Sequence, residues 1–274
     1  MKRILVPTDF SVHSEYALKV AAQIARDTDG EIFLVHMLEF PNQMADAVSG
    51  GAEIPEIMLF MKKAHEKLEN LVHRDYLEGI KVSEAVKLER AFEGILKSSE
   101  KHDIDLVVMG SHGASGYQEF VVGSTTEKIV RASDAPVLVI KQDNFNFKTD
   151  RFVFASDFSD EIKKPFRKIA AFAATFGSHL ELVMINTPNS FKTTLNAQKI
   201  MKDFISEFSI ANYTLHIFND ANIESGILNF ANTVHADIIG MCTHGRTSLY
   251  HFFNGSISEG LVNHASKPVI TFKI

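Results

Sequence analysis

The segment Gly110-Ser111-His112-Gly113 follows an apolar run, and Gly123-Ser124-Thr125 follows it after nine further residues. Gly110 and Gly113 let a backbone turn sharply and approach a ligand closely. A Gly-Ser-Thr run that opens a helix adds free N–H groups and two hydroxyls facing one space. Together these residues can hold a phosphate chain with mostly backbone donors, without lysine. Asp9 ends a second apolar run, Ile4-Leu5-Val6-Pro7-Thr8. A carboxylate there accepts hydrogen bonds from ribose hydroxyls or a base amino group if the two run ends lie side by side. Glycines at such places also serve as plain strand–loop–helix turns. It is the coincidence of fixed glycine spacing, a hydroxyl pair and an Asp that favours a ligand site.

Other chemistries fit less well. No Gly-Lys-Ser/Thr occurs, so there is no P-loop, and the dinucleotide pattern G-x-G-x-x-G is absent as well. The stretch Gly110–Thr125 lacks the lysine that phosphoryl-transfer sites of that kind use. His112 could act as a general acid or base, but a His in such a loop more often packs or binds phosphate. Cys242, His244, His251 and His264 form a loose Cys/His set whose spacing matches no standard zinc site. Cys242 near a helix start could also be a reactive thiol.

The elements that must position these residues come from an internal repeat. Residues 3–11 read RILVPTDFS and residues 151–159 read RFVFASDFS, an offset of 148. From Gly94-Ile95-Leu96, matched by Gly226-Ile227-Leu228, the offset is 132; it carries Asp105 onto Asp237, His112-Gly113 onto His244-Gly245, and Gly123-Ser124 onto Gly255-Ser256. Each copy alternates short Val/Ile/Leu-rich runs with amphipathic ones. In the first copy the spacing predicts strands near 2–8, 31–38, 81–90, 105–110 and 136–141, and helices near 13–28, 55–78, 93–102 and 122–133. The helix near 55–78 becomes amphipathic from about Ile57, with Leu59, Phe60, Leu68, Leu71 and Val72 as its apolar residues. Ser11 is the expected N-cap of the first helix, and Gly30 and Gly79 the expected helix stops. Such alternation predicts an α/β fold: two tandem doubly wound, Rossmann-like parallel-sheet domains of about five strands each. The expected boundaries are 1–142 and 150–274, around the polar stretch KQDNFNFKTD. Ligands of these sheets bind beyond the carboxyl ends of the strands at the switch point.

Composition narrows the partners. A net charge of −6 without long charge blocks predicts neither nucleic-acid binding nor attachment to anionic membranes. No run approaches the roughly 18 apolar residues of a membrane span. The single cysteine and the short run Ile4-Leu5-Val6, which stops at Pro7, favour the reducing cytoplasm.

Strand-PTDFS, Gly110-Ser111-His112-Gly113, Gly123-Ser124-Thr125 and the terminal APVLVIK resemble the universal stress protein family in its ATP-binding branch. The resemblance covers both halves, as in a tandem member. It implies that Asp9 and the backbone near Met37 hold adenine and ribose, with Val6, Pro7 and Thr8 lining the base. It implies that Gly110, His112, Gly113, Gly123, Ser124 and Thr125 surround the phosphates, with Mg or Mn bridging them. It further implies that Pro136–Lys141 and Pro268–Lys273 pair within the chain as an intrachain pseudo-dimer, with a homodimer as a further form. The second copy departs from the pattern: Cys242 stands for Gly110, Ile257 for Thr125 and Asn186 for Met37. If Gly110 needs a left-handed backbone, a side chain at Cys242 costs about 1–2 kcal/mol. Asp157, Gly245, Gly255 and Ser256 then make a weaker site, to which Arg246 could add a phosphate contact. Three functions compete: a nucleotide-binding regulator in the stress response, a slow ATPase or phosphotransferase, and a ligand-free interaction scaffold. The sequence supports the first.

Overall fold

The computed structural model describes residues 1–39, 55–111, 123–143, 146–243 and 255–274. The chain divides into two compact units, Met1–Ile129 with Gln142–Phe145 and Val130–Lys141 with Asn146–Ile274.

The first unit holds β1 (Arg3–Pro7), α1 (Val12–Thr28), β2 (Glu31–Met37), α2 (Pro55–Val72), β3 (Lys81–Lys87), α3 (Ala91–Lys101), β4 (Leu106–Gly110) and the start of α4 (Ser124–Ala132). Its strands run in the order β3-β2-β1-β4, all parallel. β1 and β4 are covered on both faces, so Ile4, Leu5, Val6, Leu106, Val107 and Val108 are fully buried. β3 is the edge of this unit, and Lys81, Glu84 and Lys87 keep it polar. β1 is anchored by Asp105, whose carboxylate accepts from the backbone N–H of Lys2 at 2.7 Å and of Arg3 at 3.0 Å. Asp237 does the same for Arg151 at 2.8 Å.

Ser11 caps α1 as expected, accepting from Ser14 N–H at 3.2 Å. The helix stop differs. The left-handed residue is Asp29 (φ 49°), while the Gly30 N–H closes onto Ala25 O at 2.8 Å. Gly30 is needed instead for closeness, since a Cβ there would stand 3.2 Å from Lys2 O. Gly79 is left-handed (φ 77°), but it follows a 3-10 turn at Asp75–Leu77; α2 has already ended at Val72. α2 buries Ile57, Ala64 and Leu68, whereas Leu59 and Phe60 stand about half exposed rather than in the core.

The second unit repeats the plan with β6 (Arg151–Ala155), α5 (Lys163–Phe176), β7 (His179–Asn186), α6 (Thr194–Ile205), β8 (Tyr213–Asn219), α7 (Ile223–Thr233), β9 (Ile238–Thr243), α8 (Gly255–His264) and β10 (Val269–Lys273). It also holds β5 (Val137–Ile140), the last strand of the first copy. The order is β5-β10-β9-β6-β7-β8, parallel except for β5 against β10. Val137, Leu138 and Val139 face Thr271, Ile270 and Val269 in that antiparallel pair. The final strands of the two copies therefore pair within the chain. A core of Phe154, Phe158, Phe166 and Phe204, with ring centroids 5.0–6.5 Å apart, fills the space between β6, α5 and α6.

Candidate functional site

The switch point of the first unit lies between β1 and β4, which flank each other while β2 lies on the other side of β1. Beyond β1 the chain makes a tight turn. Thr8 N–H reaches Val35 O at 2.8 Å, Thr8 Oγ1 accepts from Phe10 N–H at 3.1 Å, and Asp9 Oδ1 accepts from Ser11 N–H at 3.0 Å. Phe10 takes a left-handed backbone (φ 64°), which costs a non-glycine residue about 1–2 kcal/mol. The second copy repeats the turn. Ser156 Oγ accepts from Phe158 N–H at 2.9 Å, Asp157 Oδ1 from Ser159 N–H at 3.1 Å, and Phe158 has φ 58°. The Asp-Phe-Ser motif thus encodes a strained corner that turns the Asp toward the strand ends.

A cavity of about 330 Å³ opens at these ends. It gathers Pro7, Thr8, Asp9, Met37, Gly110, Gly123, Ser124 and Thr125, all expected from the sequence. His112 and Gly113 lie outside the described residues. Ser14, Val35, Ala91, Ile95, Met109 and Thr126 also line it and went unpredicted. Gly94-Ile95, repeated as Gly226-Ile227, was the available signal for the α3 side. Val35, Met37, Ile95 and Met109 supply apolar lining, and the hydroxyls and Asp9 supply polar lining. Such a mixed lining suits a small ligand with an apolar part and a polar part.

The start of α4 supplies donors. Gly123 N–H is used internally, on Ser111 O at 2.8 Å, so it is not the free donor the sequence suggested. The first helical bond is Glu127 N–H to Gly123 O at 3.1 Å, which leaves the N–H groups of Ser124, Thr125 and Thr126 without helical partners. Thr126 Oγ1 ties the helix to β4 through Gly110 O at 3.0 Å. Thr8 Oγ1 and Ser14 Oγ, whose residues also line the cavity, share a hydrogen bond of 3.0 Å.

Gly110 is not left-handed; it lies in β4, and its need is steric. A Cβ there would meet the His13 carbonyl carbon and oxygen at 2.7 Å. In the second copy the chain after the Asp-Phe-Ser turn forms a 3-10 turn, Asp160–Ile162, before α5, and Cys242 is accommodated in β9. Cys242 is buried, and burial, helped by the Asp157 carboxylate, pushes its thiol well above the ordinary range. Burial and the raised thiol both disfavour the thiolate that a reactive cysteine needs. The counterpart of Met37 is Ile185 rather than Asn186. A Cβ on Gly94 would meet Met37, and one on the matching Gly226 would meet Ile185. Asn186 instead pins the following loop, accepting from Lys192 N–H at 2.7 Å and donating to Lys192 O at 3.1 Å. Asp157 ends β6 as Asp9 ends β1, and Gly255 and Ser256 open α8; Gly245 and Arg246 lie outside the described residues. Of the loose Cys/His set, His264 bonds Glu224 Oε1 at 2.6 Å, and His244 and His251 lie outside the described residues. Among the described residues, no group of three or more His, Cys, Asp or Glu is placed to hold a metal ion, and no helix is long and apolar enough to cross a membrane.

A doubly wound, mostly parallel sheet, present twice, with a cavity at the first switch point, defines a tandem α/β protein. The model of the universal stress protein family matches residues 1–141 and again 148–273, and the chain belongs to that family. A universal stress protein of Methanocaldococcus jannaschii is 31% identical over 156 residues, covering 52% of this chain and 96% of its own. One from Synechocystis is 22% identical across the full length of both chains. The crystal structure of a universal stress protein from Archaeoglobus fulgidus superposes with a TM-score of 0.76 at 23% identity, covering 99% of this chain and 98% of that one. That likeness extends the shared fold over both copies.

Proposed function

We propose that the first copy binds an adenine nucleotide, ATP, and that the chain works as a nucleotide-dependent regulator in the stress response. The observation that carries this reading is the meeting of Asp9, the Thr8 and Ser14 hydroxyls and the open N-terminus of α4 in one cavity that Val35, Met37, Ile95 and Met109 also line. Adenine fits against Met37 and Ile95, ribose against Asp9, and the phosphates against Ser124 to Thr126. A Mg or Mn ion would draw its ligands mainly from the phosphates, with Asp9 and the hydroxyls beside it. The functional units in this reading are residues 1–142 and 150–274. The second copy keeps Asp157 but carries Cys242 and Ile257, so it binds nucleotide more weakly.

The test is to denature freshly purified protein, identify any released nucleotide by chromatography and mass spectrometry, and count moles per chain. About one ATP per chain is expected. It should be lost in Asp9→Asn, which keeps an acceptor for Ser11 N–H. No released nucleotide, and no binding when ATP and magnesium are added back, overturns the reading and leaves an interaction scaffold.

A further inference from the structure

The outer edge strand of the second unit differs from that of the first. β8 ends the strand order of its unit, as β3 does in the other. The register and the flanking bonds fix where its backbone points. Leu180 N–H donates to Asn212 O at 3.0 Å, and Asp220 N–H donates to Asn186 O at 3.1 Å. In a parallel pair this phase turns the N–H and C=O of Thr214, His216 and Phe218 toward β7. The same groups of Tyr213, Leu215, Ile217 and Asn219 point away, and among the described residues no strand takes them.

A bare sheet edge templates pairing with another strand unless charges or proline guard it. β3 is guarded: antiparallel pairing with its own copy about Glu84 would set Lys81 against Lys87 and Glu84 against Glu84. β8, Tyr-Thr-Leu-His-Ile-Phe-Asn, has no Lys, Arg, Asp, Glu or Pro. The same operation about His216 sets Leu215 against Ile217, Tyr213 against Asn219 and Thr214 against Phe218. His216 would meet its own copy, but each His216 is already bonded to Glu181 Oε2 at 2.7 Å and packs on Phe230, so each brings its own carboxylate. Apolar exposure gathers at this strand too. The large apolar residues exposed in the described part of the unit are Phe191, Leu195 and Tyr213. Tyr213 starts β8, Leu195 lies in the first turn of α6, and Phe191 shortly precedes that helix; α6 packs on β8.

We propose that β8 is a dimer interface: two copies of this chain pair their β8 strands antiparallel about a two-fold axis at His216. The outward groups of Leu215 then bond those of Ile217 in the second copy, and those of Tyr213 bond those of Asn219. The second copy is the partner because β8 complements itself. Its central pair is apolar on both sides, and no two unpaired like charges meet. A two-fold contact uses the same patch on both chains and closes at two. The charges on β3 keep the other edge from extending the assembly. A strand pair alone buries little, and the exposed Phe191 and Leu195 offer apolar surface toward the roughly 1,600 Å² of a standard interface. The proposal is independent of the nucleotide reading.

The experiment is sedimentation velocity of the full chain over about 1–100 μM, the range of a modest interface, with amide hydrogen exchange of residues 213–219 at both ends of the series. Wild type is expected to pass from monomer to dimer, and the Leu215 and Ile217 amides to exchange more slowly as the dimer forms. Tyr213→Lys with Asn219→Lys sets like charges opposite each other at both ends of the strand pair. It should weaken dimerisation at least about tenfold. Tyr213→Lys with Asn219→Glu sets opposite charges there and should bring dimerisation back to within about threefold of wild type. Both positions are exposed, and both double variants change the same two residues, so damage to the fold would not separate them. A wild-type chain that stays monomeric throughout overturns the proposal. So does a dimer with no added protection in β8, a result read on wild type whether or not a variant folds. Equal dimerisation of the two double variants, kept or lost, overturns it as well.

Discussion

Gly110 in β4 lies so close to His13 in the first turn of α1 that any Cβ on it would stand 2.7 Å from the His13 carbonyl. The glycine permits this close approach of strand and helix beside the cavity that Gly110, Ser14 and Thr126 line. Gly110→Ala must push α1 outward or bend β4. It is expected to cost about 1–3 kcal/mol, the usual range for an overpacked contact, and to weaken nucleotide binding at the same time. Urea unfolding and nucleotide titration of the same variant check this. Unchanged stability would mean that α1 yields freely at this point.

Met37 and Gly94 form a second contact of the same kind on the apolar wall. The Met37 sulfur lies 2.6 Å from where a Gly94 Cβ would be. Gly94→Ala should destabilise by about 1 kcal/mol, the low end of the overpacking range, because the Met37 thioether is the end of a flexible side chain while the Glu89 Cβ, 3.2 Å away, must also give. Met37→Ala removes the obstacle. In a double-mutant cycle the penalty of Gly94→Ala should shrink by at least about 0.5 kcal/mol in the Met37→Ala background. Strict additivity would show that the methionine swings away without cost.

Cys242 offers a chemical check on the second copy. Its thiol is buried and held protonated by burial, with the Asp157 carboxylate adding to the effect. Thiolate is the reactive form, so native protein should react with a thiol reagent such as dithionitrobenzoate far more slowly than urea-unfolded protein. Rapid, stoichiometric labelling of the native chain at neutral pH would contradict the placement of this residue in β9.

The strands and most helices were legible because apolar runs bounded by glycine and polar residues have few other ways to be buried, and because the repeat shows every element twice. The cavity was legible where its residues carry motif chemistry: Asp9, Gly110, Gly123, Ser124 and Thr125. It was not legible at Ala91, Ile95 and Met109, whose types are those of any core residue. The reason for Gly110 was misread for a related cause. A sequence shows that a side chain is missing but not whether torsion or a neighbour forbids it, and the neighbour, His13, is remote in sequence. The match of Met37 to Asn186 slipped by one residue at the end of β7, where no motif fixes the register; the contacts of Gly94 and Gly226 with Met37 and Ile185 do.

Lys141 and Lys273, related by the repeat offset, close the ends of β5 and β10 in the second unit with different electrostatics. Lys273 donates to Ala132 O at 3.2 Å and pairs with Asp134 at 2.8 Å. Lys141 donates to Asn263 O at 2.5 Å, and the position matching Asp134 is Ser266. Burial lowers the Lys141 ammonium from the ordinary 10.5 to about 8. A base whose folded value lies below its unfolded value costs stability while both states are charged. That cost is full below about 8 and is relieved as the pH rises from about 8 toward 10.5, where the unfolded chain binds more protons than the folded one. Lys141→Met lacks this titration. The stability of wild type relative to Lys141→Met should therefore increase across that window, read by urea unfolding at pH 7, 8.5 and 10. A difference that stays constant with pH would mean the ammonium is as well solvated in the folded chain as in the unfolded one.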